Sequence, residues 1–181
     1  MRAVLGCRQV PISALEADQF EALFTHLIAM LGDAESVDQP RFQPITDSDS
    51  AIPEPTRQWF VHGAEVAVGE GGWRRVWVVQ DAAAQIIAHV DLRATADHAA
   101  MDRCLLGMGV RGGHRRLGLG TRLLDFVERW AADQGLRAID LEVLAENLPA
   151  IALYRRLGYQ PAGEGVDVDG SALLQMSKAL R

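Results

Sequence analysis

Residues 115–120 read Arg115-Arg116-Leu117-Gly118-Leu119-Gly120, and an amphipathic pattern begins directly behind them. Leu123, Leu124, Val127, Trp130 and Ala131 recur at three- and four-residue steps, which predicts a helix over 118–134 with one buried face. Arg122, Asp125, Glu128, Arg129 and Asp133 fall on the other face, and Gly135 supplies a C′ stop. Before the hexapeptide, residues 104–110 read as an apolar strand. Behind the helix, Ile139, Leu141 and Val143 alternate with Asp140, Glu142 and Leu144, the period of a half-buried strand. Asn147 is placed to cap a short helix with Pro149 in its first turn. Ile151, Leu153, Tyr154 and Leu157 carry that helix to Gly158, and Tyr159 opens a further strand. The stretch 105–159 is therefore strand, Gly-rich turn, helix, strand, helix, strand.

A Gly-rich turn that opens a helix can seat an anion. Gly118 and Gly120 let the backbone approach a ligand closely, and the first N–H groups of the helix have no intrahelical partner. The helix dipole and the charges of Arg115 and Arg116 add to the same end. On the hexapeptide alone, a turn that merely joins strand to helix is an equal reading. Gly107-Met108-Gly109-Val110-Arg111-Gly112 also spells G-x-G-x-x-G, but a dinucleotide site needs its third glycine to open a helix, and here another Gly-rich turn follows. Glycines inside a strand instead mark a bulge or a close approach by other groups.

Two blocks together resemble the GCN5-related N-acetyltransferase (GNAT) superfamily. The first, Val110-Arg-Gly-Gly-His-Arg115-Arg-Leu-Gly118-Leu-Gly120, is similar to the family's acetyl-CoA pyrophosphate signature. The second, Asn147-Leu-Pro-Ala150-Ile-Ala-Leu153-Tyr154-Arg-Arg-Leu-Gly158-Tyr159, resembles its Asn-x-x-Ala-x-x-Leu-Tyr-x-x-x-Gly-Phe/Tyr segment. Gly112 stands where the family often has Pro, and Arg116 where it often has Gly. The resemblance implies a single acetyltransferase domain over 1–181 of mixed α/β (α+β) class. Its twisted sheet would have about seven strands, helices on both faces and a V-shaped cleft between two diverging parallel strands. It implies acetyl-CoA as cofactor, held by Arg115, Arg116, Leu117, Gly118, Leu119, Gly120 and Thr121 at the phosphates, and by Met108, Gly109, Val110 and Asn147 along the pantetheine arm. It makes Tyr154 the proton donor to the CoA thiolate and a small-molecule or peptide amine the acceptor, in a monomer or homodimer.

Acetyl transfer to an amine also needs a group that takes the amine's proton. Glu142, placed to face the cleft, is the leading candidate; His89, Asp91, His98 and Asp102 are the alternatives. A strand carboxylate that simply faces solvent is the competing reading.

Composition bounds the rest. At 181 residues, 49% hydrophobic and 23% charged, the chain has the balance of an ordinary globular domain. A net charge of −6 argues against nucleic acid and suits a cationic acceptor. No apolar run approaches the ~20 residues of a membrane span. The run ahead of Cys7 is about five residues, short of the ~7–15 of a secretory h-region, so a cytoplasmic protein is expected. Cys7 and Cys104 make neither a disulfide framework nor a zinc set and read as buried thiols.

In the N-terminal half, residues 2–10 read as a first strand, and Ser13 or Asp18 as the cap of a helix carrying Leu15, Phe20, Leu23, Leu27, Ile28 and Leu31. Residues 32–55 are acidic, polar and broken by four prolines: either a disordered connector or a lid over the acceptor site. Thr56 opens a second helix. Residues 73–80 and 85–93 read as a strand pair, 94–103 as a polar connector, and 159–168 with 172–178 as a hairpin turning at Asp169-Gly170.

Overall fold

A computed structural model of the chain describes residues 10–34, 52–167 and 170–181. The expected first strand at 2–10, most of the 32–55 segment, Cys7 and Asp169 lie outside the described residues. The described elements are β1 (Ser13–Ala14), α1 (Phe20–Ala34), α2 (Glu54–Glu65), β2 (Arg74–Gln80), β3 (Ile86–Arg93), α3 (Ala96–Ala100), β4 (Arg103–Val110), α4 (Leu119–Asp133), β5 (Ala138–Leu144), α5 (Leu148–Arg156), β6 (Gln160–Val166) and β7 (Ala172–Ala179). Among the described residues one seven-stranded mixed sheet runs in the order β1-β2-β3-β4-β5-β7-β6, and only β4 and β5 are parallel neighbours. Among the described residues no helix is long and apolar enough to cross a membrane.

Several boundaries depart from the sequence reading. Ser13 caps no helix; it lies in β1 against Val78 of β2. Asp18 falls in a 3-10 turn, Ala17–Gln19, where Gln19 Oε1 accepts from Glu16 N at 3.0 Å before α1 begins. The second helix starts at Glu54 rather than Thr56, because Pro53 serves as N-cap and Pro55 needs no backbone donor in the first turn. The connector at 94–103 contains the short α3, capped by the Thr95 side chain, which accepts from His98 N.

The two faces of the sheet bury different cores. On one, Leu119, Leu123, Leu124, Val127 and Ala131 of α4 and Ile151 and Tyr154 of α5 pack on Trp77, Val90, Leu92, Cys104, Leu106, Ile139 and Leu141. Trp130 closes this layer, edge-on to Trp77 at 4.7 Å. On the other face, Leu23, Phe24 and Leu27 of α1 and Phe60 of α2 cover Val76, Val78 and Ile86.

Helices α4 and α5 end alike. Gly135 and Gly158 take positive φ, and the next residues, Leu136 and Tyr159, donate back to Ala131 O and Tyr154 O at 3.0 Å. This is the Schellman closure, and in α5 it comes with its apolar contact: the rings of Tyr154 and Tyr159 meet edge to face at 5.6 Å.

Gly107 and Gly109 of β4 are required by what approaches them. A Cβ on Gly107 would collide with the Asp91 carboxylate and lie 3.0 Å from Arg93 Nη1; one on Gly109 would collide with Met30 of α1 and meet His89 Cε1 at 2.8 Å. Gly107→Ala is therefore expected to destabilise the fold by about 1–3 kcal/mol, the range of overpacking substitutions, measured as a lower urea midpoint at unchanged m-value.

Candidate active site

The cleft begins where β4 and β5 part. They pair at Arg103 with Ala138, Cys104 with Ile139 and Leu105 with Asp140, and no further. Arg103 bridges this vertex through Nε to Asp140 Oδ2 at 2.7 Å, through Nη2 to Asp140 Oδ1, and through Nη2 to Ser177 Oγ of β7 at 2.8 Å. Beyond it, among the described residues, β4 pairs with β3 alone. Arg111 N donates to Ile87 O at 2.9 Å, so odd-numbered residues of β4 turn their backbone groups toward β3. Leu106, Met108 and Val110 consequently direct theirs into the gap.

At the top of the gap lies the turn into α4. Gly118 is its N-cap with φ +83°, and a Cβ there would meet nothing within 4 Å. The first helical amide in use is Arg122 N, bonded to Gly118 O at 3.1 Å; those of Leu119, Gly120 and Thr121 have no acceptor among the described residues. Arg115 Nε donates to Val110 O at 2.9 Å and ties the turn to the end of β4. Arg116 is exposed and holds φ +61°, a left-handed conformation that a glycine would adopt more easily.

The remaining expected cofactor residues divide. The Leu119 side chain is buried in the α4 core, so only its amide can meet a ligand, whereas Leu117 is exposed. A Cβ on Gly120 would lie 3.0 Å from Leu153 Cδ2 and 3.6 Å from Met108 Cε, so helix, strand and α5 converge there. Thr121 Oγ1 accepts from Arg156 Nη2 at 3.2 Å. Asn147 is buried and caps α5, its Oδ1 accepting from Ala150 N at 3.2 Å.

Tyr154 is buried on the α4–α5 face, and no described residue hydrogen-bonds its hydroxyl. Burial raises its pKa to about 12, so the phenol stays protonated at neutral pH. Glu142 lies on the opposite face of β5, exposed, with Oε1 accepting from Gln175 Nε2 at 3.1 Å. The structure does not bring Glu142 and Tyr154 onto one side of the sheet. Cys104 is also buried; burial, with Asp140 adding to it, raises its thiol pKa to about 12, unlike a nucleophilic cysteine.

Two of the alternative base candidates, His89 and Asp91, lie with His26 in a buried polar row on the α1 face of β3. His26 of α1 and His89 of β3 share a hydrogen bond, Nε2 to Nδ1, at 3.0 Å. Asp91 accepts from Arg93 Nη1 at 3.0 Å and pairs with Arg74 Nε at 3.2 Å. Burial alone would raise the Asp91 pKa; the two guanidinium groups outweigh it and hold it below the usual carboxylate range. Burial lowers His89 to about 4. In the sequence His89 and Asp91 stand out as polar residues among apolar strand neighbours, whereas nothing local marks His26, Arg74 or Arg93 as their partners.

The sequence profile of the acetyltransferase (GNAT) family matches residues 37–159. The chain belongs to the GNAT acetyltransferase family. It is 36% identical over 92 residues to a probable N-acetyltransferase 14 of Xenopus tropicalis, a match covering 51% of this chain and 44% of that protein. It is 37% identical over 51 residues to an uncharacterized N-acetyltransferase of Bacillus subtilis, covering 28% and 21%. The chain thus spans less than half the length of these curated relatives. Among solved structures, a GNAT-family acetyltransferase from Streptococcus pneumoniae superimposes with a TM-score of 0.72 at 18% identity, covering 96% of this chain and all of that one. The ribosomal-protein-S18-alanine N-acetyltransferase of Escherichia coli gives 0.64 at 20% identity, covering 94% and 93%. At these identities the structures share the GNAT fold.

GNAT enzymes generally use acetyl-CoA, and the cleft has features that fit it: open space at Gly118, unused amides at the start of α4, an unpaired β4 edge and an unpartnered Tyr154 hydroxyl.

The buried histidine sets an acid limit on stability. Unfolded His89 takes up a proton near its ordinary 6.5, whereas the folded chain does not until about 4. Stability is therefore expected to fall as pH drops from about 6.5 toward 4, by roughly 3 kcal/mol over that window. His89→Gln should flatten this slope in urea melts taken at successive pH values.

Proposed function

We propose that the chain is an acetyl-CoA-dependent N-acetyltransferase that acetylates a primary amine by direct attack within a ternary complex. The observation that carries this reading is the three-residue pairing of β4 with β5: beyond Leu105 the Met108 and Val110 backbone faces an open gap, directly below the free amides of α4.

Acetyl-CoA would supply an activated acetyl thioester. The amides of Leu119, Gly120 and Thr121, with Arg115 and Arg116, are the groups that would hold its pyrophosphate, and the Met108–Val110 edge its pantetheine arm. A backbone N–H at Met108 or Val110 is a fixed donor where negative charge develops on the carbonyl oxygen. Tyr154 Oη carries a proton at working pH and has no acceptor to surrender among the described residues, so it can give that proton to a departing sulfur. As the amine nitrogen bonds to the acetyl carbon and the carbon–sulfur bond breaks, the amine's proton must leave on the other side of the sheet, where Glu142 is exposed. With Cys104 buried and its thiol protonated, direct transfer is favoured over an acyl-cysteine route.

Tyr154→Phe is expected to lower kcat by roughly 100-fold or more while leaving the acetyl-CoA Kd within a few-fold, since it removes only the proton. Steady-state CoA release against an amine panel, beside calorimetric titration of acetyl-CoA, checks this. Cofactor binding without acetylation of any amine would show a binding protein instead. Gly118→Val, which puts a branched side chain at φ +83° over the open turn, should raise the acetyl-CoA Kd at least about tenfold, or roughly 1.4 kcal/mol.

A further inference from the structure

The two faces of the cleft are chemically different. Helix α4 with its turn and α5 with Tyr154 pack on one face, so the cofactor-binding groups lie on that side. An amine reaching the gap without displacing them arrives from the other face, which carries α1 and α2. On that face, Arg93 is paired with Leu105, the last β4 residue that also pairs with β5. Its guanidinium does not extend away from the sheet. It folds over β4, with Nη1 3.0 Å from the position of a Gly107 Cβ. A glycine inside a strand thus makes room for an arginine at the point where the gap opens.

The local charge is positive although the chain carries −6. Asp91 supplies one negative charge to two guanidinium groups, Arg74 and Arg93. The Asp91 side chain is 1% exposed and that of Arg74 10%, so these two compensate each other in the interior. Arg93, at 36%, is the additional cation and the one a ligand can reach. It gives one N–H to Asp91 Oδ1, and no other described residue accepts from it. Arg74 Nη1 is likewise buried without an acceptor. A guanidinium fork held in place on one side by a carboxylate, with its other donors free, is preorganised for a second carboxylate.

We infer that the acceptor is an amine bearing a carboxylate, a free amino acid being the simplest, and that Arg93 receives that carboxylate at the vertex of the cleft. This rests on the acetyl-transfer reading of the same cleft. It runs against the overall charge, which alone favours a polycation.

The test compares each of several amino acids with its own primary amide, which keeps the amine and removes the negative charge, using the full chain, acetyl-CoA and CoA release. The expected result is at least a tenfold higher kcat/KM for the acid. Because an amino amide loses its ammonium proton more readily, chemistry alone biases the comparison the other way. Arg93→Gln should reduce the preference to within about twofold, chiefly by raising KM for the acid, and Arg93→Lys should restore part of it. Equal use of acids and amides by the unmodified chain would overturn the inference, as would a loss in Arg93→Gln that is the same for both. If Arg93→Gln does not fold, the acid–amide comparison in the unmodified chain still decides. Acetylation confined to amines without a carboxylate would remove this inference and leave acetyl transfer standing; absence of both acetyl-CoA binding and turnover would remove both.

Discussion

A sheet that stops pairing in its middle is the constraint on which this molecule depends. Leaving part of an interior β4 edge without a partner exposes backbone donors and acceptors that would otherwise be satisfied. The fold tolerates this because both neighbours are anchored elsewhere. β4 is paired to β3 from Leu105 to Val110, and β5 along its length to β7. The Arg103–Asp140–Ser177 bridge fixes where the separation starts. The unmet hydrogen-bonding capacity then becomes a surface suited to an extended ligand with amide groups of its own.

The same strand separates two environments. Its even-numbered side chains face the apolar layer beneath α4 and α5, while its glycines face a compact row of ionised and imidazole groups beneath α1. Among the described residues, the charge held in the interior is paired, Asp91 with Arg74, while Arg93 reaches the same carboxylate from a more exposed position. Asp91 is shared by two arginines, and His89 is neutral and bonded to His26. Breaking such a set costs more than the set contributes, because it leaves a charge without solvent or partner.

Much of this was legible in the residues, and the reasons differ by element. The 105–159 stretch could be read because its periodicity, caps and stop signals agree: the 3.6-residue face of α4, Asn147 before Pro149, and glycines at both helix ends. The parting of β4 and β5 came from the family resemblance rather than from periodicity, since a paired and an unpaired apolar strand alternate alike. The start of α2 is harder to read, because Pro55 looks like a breaker in sequence although proline is well tolerated in a first turn. Glycines within a strand announce either a bulge or a close approach, and what approaches Gly107 and Gly109 depends on β3 and α1, brought near only by tertiary folding. For the same reason nothing local marked Arg93 as different from any other strand arginine. Glu142 illustrates the opposite case: its alternation placed it on a strand correctly, yet alternation alone does not say which face of a sheet a ligand uses.

The closure of α5 has a bearing on how the tyrosine at its heart behaves. Tyr154 is oriented by the backbone turn at Gly158 and by the aromatic plane of Tyr159, not by a hydrogen bond to its oxygen. An aromatic ring gripped by its carbon skeleton keeps its aim while its oxygen stays uncommitted. Such a group can exchange one visiting partner for another through successive turnovers without any element of the scaffold having to move.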